Sequence, residues 1–87
     1  MKTITYLTAA WCAPCKQYGP LVERLAEEHG LHVRKLDIDT DEGAAAASIH
    51  GVLSVPTLVS EQGTVAHGRL LKSQLATFLK DVSDGNA

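Results

Sequence analysis

Cysteine is scarce in this chain: two among 87 residues, with a single tryptophan beside them. Two thiols are too few for the disulfide-dense scaffold of a small secreted domain. One pair is also only half of the ligand set that a structural zinc site takes. The histidines, His29, His32, His50 and His67, are scattered and none has the spacing of a zinc-binding pair. Basic residues are not in excess, with 8 Lys and Arg against 10 Asp and Glu. That balance leaves no electrostatic footprint for nucleic acid and no basic run for a membrane surface. No stretch approaches the roughly 20 apolar residues of a membrane span. No Gly-rich turn marks a dinucleotide site, so no bound flavin or nicotinamide is expected. The N-terminal MKTITYLTAAWC is too short and too threonine-rich in its apolar part for a secretory leader, and a cytoplasmic location is expected. What is present is an apolar fraction of 45 %, enough for one globular domain over residues 1–87.

Thr3 to Thr8 (TITYLT) is β-branched and aromatic and reads as a strand. A helix follows from about Ala13 to His29, with Tyr18, Leu21, Val22, Leu25 and Ala26 on one face. Gly30 is placed to end it, and Pro20 to kink it. Leu31 to Asp39 reads as a second strand with Val33, Leu36 and Ile38 facing the core. Strand, helix and strand with short joints make a βαβ unit, so these strands are expected to be parallel.

Asp41 to Ser48 (DEGAAAAS) leads with acids and continues in alanine, which favours a short helix. Thr57–Ser60 and Thr64–His67 flank the turn Glu61-Gln62-Gly63 and read as an antiparallel hairpin. A last helix is expected from about Lys72 to Val82, with residues 83–87 a frayed tail. The order βαβαββα implies an α/β domain: a four-stranded mixed sheet with helices on both faces.

Both cysteines fall in Ala9–Pro20, AAWCAPCKQYGP. Cys12 stands where the first strand yields to the first helix, near unpaired N–H groups and the positive end of the helix dipole. A thiolate is favoured there, which lowers a thiol pKa from about 8.5 toward neutrality. Pro14 suits the first helical turn, where its missing N–H costs nothing. Cys12 is then the nucleophile and Cys15 the resolving thiol. A purely structural disulfide would close too short a loop to constrain the unfolded chain much.

Trp11-Cys12-Ala13-Pro14-Cys15-Lys16, with Pro20 after it and Val55-Pro56-Thr57 further on, resembles the thioredoxin family. The likeness covers Thr3 to about Val82, without that family's first strand and first helix, so the expected fold is the minimal thioredoxin fold that glutaredoxins share. The resemblance implies a protein-disulfide reductase cycling between a Cys12/Cys15 dithiol and disulfide. It implies a cis peptide bond before Pro56, and a substrate surface from Trp11, Ala13, Pro14, Val55, Pro56 and Gly68. It further implies a monomer that binds no cofactor or metal and draws electrons from NADPH through a thioredoxin-reductase-like flavoprotein.

Three departures stand out. Ala13 replaces a glycine and stiffens the turn, since alanine favours helix by about 1 kcal/mol. Tyr6 occupies the position where thioredoxins usually bury an aspartate, and Thr8 that of a second tryptophan. Proton transfer at Cys15 is therefore expected to fall to water, Lys35 or Asp37, with Tyr6 a poor substitute for the acid. Glutathione as donor, as in glutaredoxins, is a rival reading. So is a redoxin feeding ribonucleotide reductase, or an accessory subunit that binds without chemistry. Glutaredoxins usually carry a Gly-Gly and Asp pair before the last helix. Gly68-Arg69-Leu70-Leu71-Lys72-Ser73 has one Gly and no Asp.

Overall fold

The computed structural model describes residues 2–87. In chain order the elements are β1 (Thr3–Thr8), α1 (Ala13–Glu28), β2 (His32–Asp37), α2 (Asp41–Ile49), β3 (Thr57–Ser60), β4 (Val65–His67) and α3 (Lys72–Asp84). The strands form one sheet in the order β2-β1-β3-β4. β1 and β2 run parallel, as the short strand–helix–strand joints require, while β3 is antiparallel to both β1 and β4.

Alternation along β1 divides the core between the two faces of the sheet. Ile4 and Tyr6 meet Tyr18, Val22, Leu25 and Ala26 of α1 and Leu75, Leu79 and Val82 of α3. Leu7, with Leu36 and Val59, packs on the opposite face against Ala46 and Ala47 of α2. The expected mixed sheet with helices on both faces is what forms. α1 carries Pro20 inside it, and Gly30 beyond its end takes φ +69.

Several boundaries differ from the sequence expectation, each for a local reason. β2 is shorter than Leu31–Asp39, because the Leu31 N–H closes onto the Ala26 carbonyl and Thr40 folds back onto Asp37. Val33 and Ile38 are only half-buried, since β2 is an edge strand. β4 begins at Val65, because the Thr64 carbonyl is spent on the Ser60 N–H that closes the turn. The expectation of a frayed tail from Ser83 does not hold at its start. α3 runs to Asp84, Ser83 Oγ donates to the His29 carbonyl, and Gln62 Nε2 donates to the Gly85 carbonyl.

One close approach fixes the ground beneath the site. Thr40 caps α2 by accepting the Gly43 N–H at 3.1 Å. A Cβ at Gly43 would stand 1.9 Å from the Asp37 carbonyl oxygen, so only glycine lets α2 sit this tightly on the end of β2.

Candidate active site

The β1–α1 junction builds the site. Cys12 is the N-cap of α1 in extended conformation, and its Sγ accepts the Cys15 N–H at 3.2 Å. Pro14 lies in the first turn, where the missing donor is of no consequence. Cys12 and Cys15 are joined by a disulfide with Cα atoms 5.3 Å apart. Both sulfur-bearing residues are nearly buried and pack with Ala9, against half-buried Ile38 and Val55.

On the Cys12 side, the Val55–Pro56 peptide bond is cis and brings the Val55 carbonyl oxygen to 3.9 Å from Cys12 Sγ. Among the described residues the Val55 N–H makes no backbone hydrogen bond. Gly68, at φ +73, donates its N–H to the Pro56 carbonyl at 2.9 Å and so stands over the same turn. Trp11 is 68 % exposed, which excludes a core role. Its indole N–H donates to Asp39 Oδ2 at 2.9 Å, holding the ring at the surface. Ala13 and Pro14 are exposed beside it.

The Cys15 side is different. A cleft of about 520 Å³ opens beside Cys15, with Thr8, Lys16, Glu23, Lys35 and Asp37 in its wall. Lys35 and Asp37, singled out by the sequence, are therefore brought into the same cleft as Cys15. Asp37 has one carboxylate oxygen engaged by the Asp39 N–H at 2.8 Å. Glu23 carried no motif in the sequence; its presence in the cleft follows from its place one turn beyond Pro20 on α1.

Tyr6 does not serve as an acceptor. Its hydroxyl is buried and donates to the Cys15 carbonyl at 2.7 Å. Burial, with Tyr18 nearby, pushes its pKa up to about 12. A phenol so committed does not take the Cys15 proton near neutral pH, and Tyr6 leaves the set of residues expected to support proton transfer. Among the described residues no cluster of three or more His, Cys, Asp or Glu could hold a metal ion.

The Thioredoxin family model matches residues 2–81. The chain belongs to the thioredoxin family. It is 35 % identical over 75 residues to a thioredoxin from Pyropia yezoensis, covering 82 % of this chain and 70 % of that protein. A thioredoxin from Mycolicibacterium smegmatis is 35 % identical over 79 residues, covering 87 % and 70 % respectively. In three dimensions, a mutant thioredoxin from Halobacterium salinarum NRC-1 superposes with a TM-score of 0.80 at 32 % identity, covering 94 % of this chain and 74 % of that one. Family membership and the Cys12–Cys15 pair together make the chain a thiol-disulfide oxidoreductase.

Proposed function

We propose that the chain is a protein-disulfide reductase in which Cys12 attacks and Cys15 resolves. The observation that carries this reading is the Cys15 N–H aimed at Cys12 Sγ at the N-terminus of α1. In the dithiol form that arrangement favours a Cys12 thiolate. The thiolate attacks one sulfur of a substrate disulfide, forming a mixed disulfide and releasing the other substrate sulfur. Cys15 then loses its proton and attacks Cys12 Sγ, which frees the reduced substrate and closes the Cys12–Cys15 bond. NADPH resets the pair through a thioredoxin-reductase-like flavoprotein.

Substrate backbone pairs with Val55 as a short added strand, a reading supported by a Val55 N–H that makes no backbone hydrogen bond among the described residues. Trp11, Ala13, Pro14 and Gly68 complete the contact surface. Lys35 is the first candidate to assist proton loss from Cys15, since Asp37 is partly engaged by the backbone. We further infer that the thioredoxin-like domain acts as a cytoplasmic monomer. Among the described residues no helix is long and apolar enough to cross a membrane.

The test is NADPH consumption with a disulfide protein, run with thioredoxin reductase and separately with glutathione and its reductase. Turnover with thioredoxin reductase alone is expected. Turnover with glutathione alone would move the chain to the glutaredoxin reading, or to a glutathione-fed redoxin. Silence in both would favour an accessory binding subunit.

A further inference from the structure

We propose that Tyr6 is a positioning residue for the resolving step: its hydroxyl, by holding the Cys15 carbonyl, fixes where the Cys15 sulfur stands when it attacks. This rests on Cys15 being the resolving thiol. The hydrogen bond is 2.7 Å long and buried, and it ties an inner strand of the sheet, β1, directly to the first turn of α1.

Tyr6 is itself held from all sides. Its backbone is in register with Lys35 on β2 and Leu58 on β3, so the strand cannot shift without unzipping both ladders. Its ring lies 6.0 Å, centroid to centroid, from that of Tyr18. Gly19 faces the ring so closely that an added Cβ would already be in van der Waals contact at 3.5 Å. The hydroxyl therefore has little freedom, and neither has the carbonyl it holds.

That stretch of α1 needs such a brace. Pro20 has no N–H to give to the Lys16 carbonyl, so the first turn of the helix is held less firmly by its own ladder. Cys12 is positioned differently, as the cap residue with the Cys15 N–H on its sulfur. The Cys15 N–H and the Cys15 carbonyl belong to different peptide groups, so the two sulfurs rest on separate supports. High burial and a pKa well above neutrality keep the Tyr6 proton in place through the cycle. The phenol acts as a fixed donor where the family usually places a proton acceptor.

The reduced protein and a Tyr6→Phe variant would be mixed with the chromogenic disulfide of thionitrobenzoate. In the first phase the Cys12 thiolate bonds to one probe sulfur, and one thionitrobenzoate leaves with the electron pair of the broken bond. In the second phase Cys15 gives its proton to solvent and bonds to Cys12 Sγ. The Cys12–probe bond breaks and the second thionitrobenzoate leaves, so two electrons pass from the dithiol to the probe. Tyr6→Phe is expected to slow the second phase about tenfold and the first less than threefold, the cost of a small misplacement of a reacting atom.

A Val52→Ala control, which weakens the core cluster on the face of the sheet away from Tyr6 and is not among the residues packed around the cysteines, is expected to leave the ratio of the two phases unchanged. Equal slowing of both phases by Tyr6→Phe, or slowing of neither, would overturn the proposal. If Tyr6→Phe does not fold, NMR on the unaltered reduced protein decides. A slowly exchanging Tyr6 hydroxyl proton supports the proposal; a rapidly exchanging one overturns it.

Discussion

The two sulfurs of one disulfide have unlike surroundings. Around Cys12 the surface is apolar and carries backbone: exposed Trp11, the Val55–Pro56 turn and Gly68 above it. Around Cys15 it is a cleft whose wall carries the charged residues Lys35, Asp37 and Glu23, while the buried Tyr6 hydroxyl holds the Cys15 carbonyl. In the proposed mechanism, a short stretch of helix separates the side that docks a polypeptide from the side that moves a proton. Position along the chain does not create that difference, since the cysteines are three residues apart. It comes from what the sheet brings up on either flank: β3 and the turn before it toward Cys12, β2 toward Cys15.

The contrast can be broken most severely by removing the first nucleophile. Cys12→Ser should abolish disulfide reduction in a stopped assay of either probe or protein substrate, because the remaining Cys15 lacks the cap position and the N–H aimed at its sulfur that Cys12 has. Gly43→Ala attacks the Cys15 side from beneath. Its new methyl group would collide with the Asp37 carbonyl, so a stability loss of about 3 kcal/mol in denaturant melts is expected.

Alkaline pH offers a gentler lever on the same side. Burial raises the Tyr6 pKa from 10.0 to about 12, so folding favours the neutral phenol. That contribution is complete below pH 10 and is lost as pH rises through about 12, when the folded phenol also ionises. Wild-type stability should fall over that window by about 2 to 3 kcal/mol more than that of Tyr6→Phe, as paired denaturation series would show. The smallest effect belongs to the docking side. Trp11→Ala should raise KM for a protein disulfide about tenfold, roughly 1.4 kcal/mol, while leaving turnover of a small aromatic disulfide nearly intact.

Much of the Cys12 side was legible in the sequence. A C-x-x-C with Pro14 inside it announces a helix N-terminus, and Gly30 marks the other end; both stand as read. The hairpin was visible from its turn residues, and α2 from its acids and alanines. The Cys15 side was less legible, because its contacts join residues whose pairing no local pattern encodes. Tyr6 reads as a hydrophobic strand residue, and nothing in TITYLT says that its hydroxyl reaches a carbonyl on the next helix. On the Cys12 side the Trp11–Asp39 bond is hidden in the same way, its partners being 28 positions apart. Gly43 looks like a flaw in an alanine helix until the approach to Asp37 is seen. α3 extends to Asp84, two residues beyond the sequence expectation, with support from His29 and Gln62, far away in sequence.

The most direct test of the division between the two sulfurs is to quench the wild-type protein with acid during reduction of a slow disulfide-bonded substrate, then map the mixed disulfide by mass spectrometry. The account predicts the substrate on Cys12, with Cys15 a free thiol. Substrate carried on Cys15 would contradict it.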